Sequence, residues 1–175
     1  MKDIHQVPRD RLGKVIKTHS GDTLVQFVRV LAFSPEQVWQ AMTDADALAS
    51  WFPGFQLEKF SGGAFNIWFG DVCEGPAHVS GTVDVYDPPW HLHCGTMSWA
   101  LVAVGGGCQL TFTDVVQFNQ DHRDDFDITN SVLAGWHLYI DQLEDALTGS
   151  LDTHNSIEFD YSQVNVRGRA SPYCR

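Results

Sequence analysis

Few side chains in this sequence are placed to carry acid–base chemistry. Leu110, Phe112 and Asp114 alternate along one apolar run and so share a strand face. If Leu110 and Phe112 point into a core, Asp114 points there too, unless the strand has already ended. A buried carboxyl is raised in pKa by desolvation, and it can act as a general base or accept a hydrogen bond from a ligand hydroxyl. The plainer reading leaves Asp114 at the strand end, facing water. His78, in the run Ala77–Tyr86, opposes Val79, Gly81 and Val83 in alternation, and His91 and His93 share a face of the next run. Asp114, His78 and His93 are therefore the candidate catalytic groups. His-x-His on a strand can chelate a metal, but no third ligand stands in register, so no metal site is expected. His137 is expected beside an apolar helical stripe rather than at its centre.

Other chemistries lack their residues. There is no Gly-x-Ser-x-Gly elbow and no His-Glu-x-x-His pair, and the glycine runs lack a phosphate-loop lysine, so no cofactor is expected. The four cysteines, Cys73, Cys94, Cys108 and Cys174, show no metal-like spacing. The start MKDIHQVPRD has no apolar secretory stretch, so free thiols in a reducing cytoplasm are expected. A net charge of -11, with lysine and arginine scattered, argues against nucleic-acid and anionic-membrane partners. No apolar run approaches the length of a membrane-spanning helix. The polar stretch Asp121–Asp125 reads as a solvated loop.

The aromatic residues need a home. They make up 12% of the chain, with six tryptophans and eleven phenylalanines. Packing accounts for most buried aromatics, and Trp39 and Trp136 fall on apolar helical faces. The sharper reading lines a ligand cavity with Trp51, Phe52, Trp68, His78, Trp99, Phe112, Asp114, Trp136 and Ile140. Trp51 and Phe52 fall where a helix pair would meet a sheet rim and gate its mouth.

The elements that would hold these groups follow from pattern. Thr23–Phe33 alternates and is rich in β-branched residues, which predicts a strand. Ser34-Pro35-Glu36-Gln37 predicts a capping box with proline in the first helical turn, opening a helix to about Thr43. A second short helix, Asp46–Trp51, precedes Phe52-Pro53-Gly54. Strands are predicted over Phe55–Phe60, Ala64–Phe69, Ala77–Tyr86, Trp90–Gly95, Met97–Val104 and Cys108–Val116, with turns at Ser61-Gly62-Gly63 and Gly105-Gly106-Gly107. Val132, Leu133, Trp136, Ile140, Leu143 and Leu147 recur at helical spacing, predicting a long helix over Ile128–Leu147 that Gly149 stops. In the tail, only Ser156–Tyr161 resembles a strand. A meandering sheet of about seven strands must cover one apolar face, and the long helix is the element large enough to do so. A sheet curled around that helix leaves a gap, roofed by the two short helices.

These residues also resemble a known family. The stretch Phe33–Asp44, with Leu48 and Trp51-Phe52-Pro53-Gly54, is similar to the start of the activator-of-heat-shock-chaperone-ATPase-like branch of the START-like (SRPBCC) superfamily. Gly62-Gly63, Gly81-Thr82-Val83, Tyr86-Asp87-Pro88-Pro89, Gln109–Thr113 and Gly135-Trp136 follow in order, covering residues 22–149. The resemblance implies an α+β helix-grip fold and, for many relatives, a small apolar or aromatic ligand. It does not imply one activity, because relatives include chaperone regulators, cyclases, aromatases and self-resistance proteins. Asp114 stands where many relatives carry His or Glu.

The expected organisation is an arm (1–13), a helix-grip domain (14–149) and a tail (150–175). The expected function is binding of a small hydrophobic or aromatic molecule. Two alternatives stand beside it: a cyclase, aromatase or dehydratase in the same cavity, and a module regulating a chaperone ATPase. A homodimer is a further expectation, and the tail after Gly149 is open to three readings: an added edge strand, a swap between subunits, or disorder.

Overall fold

The computed structural model describes residues 8–69, 77–118 and 125–150. The chain opens with a 3-10 turn at Arg9–Arg11 and strands β1 (Lys14–Lys17) and β2 (Thr23–Leu31). Helices α1 (Pro35–Thr43) and α2 (Ala45–Trp51) follow. Six strands come next: β3 (Phe55–Leu57), β4 (Ala64–Phe69), β5 (Ala77–Asp87), β6 (His91–Cys94), β7 (Met97–Val104) and β8 (Gly107–Val115). Helix α3 (Asp125–Thr148) ends the described chain. The strands form one eight-stranded sheet in the order β1-β2-β8-β7-β6-β5-β4-β3. Every neighbouring pair is antiparallel.

Local chemistry sets these boundaries. Ser34 caps α1 as its sequence predicts: the Gln37 amide donates to Ser34 Oγ at 3.3 Å, and the Ser34 amide donates to Gln37 Oε1 at 2.9 Å. Asp44 closes α1 and caps α2, accepting from the amides of Asp46 and Ala47. The strand expected over Phe55–Phe60 stops at Leu57, where the chain turns and Glu58 Oε2 accepts from the Ala64 amide at 2.7 Å. Gly62, Gly105 and Gly106 hold positive φ in the two predicted turns. Strand β1 has no counterpart among the predicted elements, because Lys-Val-Ile-Lys carries too little alternation to stand out.

The connection from β2 through α1 and α2 to β3 crosses from one side of the sheet to the opposite edge. Both short helices contact α3, and all three cover one face. Val25, Phe27, Arg29 and Leu31 of β2, Leu110 and Phe112 of β8, and Met97, Trp99 and Leu101 of β7 point into that layer. From α3 come Leu133, Trp136, His137, Ile140 and Leu143. Gly81 faces inward so that the Phe65 ring can lie over it; a Cβ there would meet that ring at 2.8 Å.

Candidate functional site

Strand β8 continues past Asp114 to Val115, so Asp114 sits on the inward face two residues after Phe112. Its backbone neighbours are Val25 on β2 and Met97 on β7, both buried. The indole Nε1 of Trp136, descending from α3, donates to Asp114 Oδ2 at 2.8 Å. The other oxygen, Oδ1, is shut off from solvent and has no hydrogen-bond partner among the described residues. Burial pushes the carboxyl above its usual range; Thr96, Trp136 and the Val115 amide oppose that rise without cancelling it.

Around this carboxyl the aromatics converge on Trp136. Its ring lies 4.3 Å from Phe112, 6.0 Å from Trp99 and 6.0 Å from Phe52, centroid to centroid. Phe69 and Tyr139 complete the group, with Tyr139 stacked on Phe52 at 3.9 Å. Burial raises the Tyr139 phenol. Edge-to-face contacts dominate around Trp136, the arrangement that ring quadrupoles favour.

The structure thus brings Phe52, Trp99, Phe112, Asp114 and Trp136 into one place, with Ile140 a turn further along α3. Trp51 is buried beside Phe52, but its indole donates to the Ala41 carbonyl at 2.8 Å and ties α2 to α1. Trp68, His78 and His93 lie elsewhere. Phe65 and Ile67 take the inward face of β4, which leaves Trp68 outward; His78 is its backbone partner, and the two rings stack at 4.7 Å on the exposed face. His93 and His91 stack on the outer face of β6, where His91 pairs with the Ser98 hydroxyl. Among the described residues no group of three or more His, Cys, Asp or Glu side chains is arranged to hold a metal ion.

A second polar cluster lies between β2 and α3. Arg29 is only 3% exposed; its Nη2 donates to Asp141 Oδ1 at 3.3 Å, and its Nη1 to the Val28 carbonyl. His137 is fully buried, with Nε2 3.5 Å from Asp141 Oδ2. This corrects the expectation that His137 flanks the stripe: it follows Leu133 by four and precedes Ile140 by three, which is the stripe's centre. Burial works against ionisation of Asp141, but the hydrogen bond from His137 and the charges of His137, Arg29 and Arg11 outweigh it and hold the carboxyl at about 2. Arg11 joins from the N-terminal turn, bonding Glu144 at 3.2 and 2.5 Å and Asp141 at 3.3 Å. Sequence reasoning passed over this cluster. Its signal was a lone arginine in strict alternation with Val25, Phe27 and Leu31, and an aspartate one turn after a histidine.

Residues 32–148 match the family model described as activator of Hsp90 ATPase homolog 1-like protein. The chain belongs to that family. Solved structures similar to this AHSA1-like chain agree on the fold. EF2215 from Enterococcus faecalis, a conserved protein of unknown function, is 16% identical over 87% of this chain and 85% of its own, with a TM-score of 0.64. CalU16 from Micromonospora echinospora is 19% identical over 79% of this chain and 85% of its own, at 0.57. The Aha1 dimer from Colwellia psychrerythraea, solved in solution, is 19% identical over 73% of this chain and 97% of its own, at 0.56. No curated protein sequence matches the chain. No helix among the described residues is long and apolar enough to cross a membrane.

Proposed function

We propose that this AHSA1-like chain binds a small hydrophobic or aromatic molecule between the sheet and α3, with Asp114 as its polar contact. The observation that carries this reading is the buried Asp114 Oδ1, which has no partner among the described residues and lies amid a cluster of aromatic rings. An unpaired buried carboxylate oxygen costs on the order of 1–3 kcal/mol or more, and a ligand donor arriving there would remove that cost. The rings of Phe52, Trp99, Phe112 and Trp136 supply apolar surface for the rest of the molecule. The test is native mass spectrometry of the purified protein, before and after soaking with aromatic polyketides, flavonoids and fatty acids. A retained or acquired small-molecule mass is the expected result.

The raised pKa of Asp114 favours a second reading in the same place. A carboxyl shifted toward neutral pH is suited to proton transfer, as a cyclase, aromatase or dehydratase would need. Under that reading Asp114→Ala abolishes turnover of the bound compound while the fold is retained. Regulation of a chaperone ATPase is the reading that the family description suggests. It gains ground if no soak adds mass and Hsp90 captures the protein in a pull-down.

A further inference from the structure

We infer that the interior site selects aromatic molecules that donate a hydrogen bond, through a hydroxyl or an amine, and turns away their carboxylate analogues. This rests on the binding reading above and adds the chemical class of the ligand.

The selection follows from what the surrounding groups can offer. An ionised carboxylate only accepts hydrogen bonds. Oδ2 of Asp114 is already used by the Trp136 indole, and that contact consumes the indole's single donor. Beside the indole, the Thr96 hydroxyl is the other side-chain donor to this carboxyl, and Val25 and Met97 on either side have no polar hydrogen on their side chains. A ligand O–H or N–H pointing at Oδ1 therefore meets a waiting acceptor. A ligand carboxylate pointing there meets a like charge in a poorly hydrated setting, where such repulsion is strong.

Among the described residues no neighbouring cation rescues an acidic ligand. Arg29 projects from the same face of β2, four residues from Val25 and so about 13 Å along the strand from the Asp114 pair. Its guanidinium is bonded to Asp141, and the Phe27 ring lies against it on the Asp114 side. Arg11 is held by Glu144 and Asp141. Lys17 is bonded to the Thr23 hydroxyl. These three positive charges are thus committed elsewhere, while the chain as a whole carries -11.

The experiment compares four probes sharing one ring system at pH 8: 2-naphthol, 2-(aminomethyl)naphthalene, 2-methoxynaphthalene and 2-naphthoate. Titration calorimetry on the whole chain gives each affinity. The expected order places the naphthol and the amine about tenfold or more above the methoxy compound, with naphthoate weakest. Comparison of the first two tells a hydroxyl donor from a cationic one. Equal affinity for naphthol and methoxynaphthalene overturns the inference and leaves the binding reading standing. Binding by none of the four sinks the binding reading and the inference with it. Asp114→Asn, which places an amide N–H beside the ligand, is expected to close the gap and admit naphthoate. Trp136→Phe keeps the carboxylate and is expected to keep the donor preference; loss of preference in that variant with the fold intact also overturns the inference.

Discussion

Two aspartates in the layer between the sheet and α3, one on β8 and one on α3, are shifted in opposite directions, and the difference is set by their neighbours. Asp114 faces rings and one indole donor, so desolvation wins and its pKa rises. Asp141 is half-buried, but His137, Arg29 and Arg11 surround it, and its pKa falls to about 2. The stability consequences have opposite signs. For Asp141, the contribution is fully present above the ordinary carboxyl value of 3.8 and is lost as pH falls toward about 2. A displacement of that size corresponds to about 2 kcal/mol. Asp141→Asn should therefore be destabilised at neutral pH, with the gap to the wild type closing in acid, as read from urea midpoints across pH. For Asp114, stability is fully present below the ordinary value and is lost as pH rises through its folded value. Asp114→Asn should gain on the wild type over that rise. Trp136→Phe removes the donor to Oδ2 and should cost about 1–3 kcal/mol. Arg29→Met alone strands Asp141 beside Arg11 and should cost about 3–5 kcal/mol, whereas Arg29→Met with Asp141→Leu should recover most of that loss.

At the scale of elements, the segment from Arg11 to Gly13 acts as a strap between α3 and β2. Arg11 grips Glu144 and Asp141, Leu12 packs on the core, and Gly13 lies against Phe27 and Leu133. A Cβ at Gly13 would meet Phe27 Cζ at 2.4 Å and Leu133 Cδ2 at 2.7 Å. Phe27 is 1% exposed and cannot swing aside, so Gly13→Ala should lower stability by about 1–3 kcal/mol, measured by denaturant unfolding. The sequence announced the elements that carry strong local signals: the Ser34 capping box, the alternation of β2 and β5, and the glycine turns. It also placed Asp114 on the face of Phe112. The strap and β1 escaped it because short segments are held by tertiary contacts rather than by a repeating pattern. The outward stack of Trp68 on His78 escaped for another reason: alternation says which residues share a face, and only the partner layer says which face is covered.

Across the whole molecule, one curved sheet and three helices divide the interior into two regions of different character. Trp136 and Tyr139 of α3 join an aromatic group around Asp114, whose Oδ1 has no partner among the described residues. His137 and Asp141 of the same helix join an ion cluster with Arg29 of β2. Neither region belongs to a single element. Asp114 needs Trp136 from α3, and Asp141 needs Arg29 from β2. That is why the family could be read from motifs strung along the chain while the polar pairings could not.

The position of β2 carries a consequence for where this protein can be cut. The family match begins at residue 32, after β2 has ended, yet β2 lies between β1 and β8 and pairs with β8 from Leu24↔Val115 to Leu31↔Cys108. A fragment limited to residues 32–148 would leave the whole length of β8 as a naked border, with its amides and carbonyls open to any passing strand. Such a fragment should self-associate or precipitate on expression, whereas one beginning at Pro8 should remain monodisperse by light scattering. The boundary that homology marks and the boundary at which the molecule becomes self-sufficient are about two dozen residues apart.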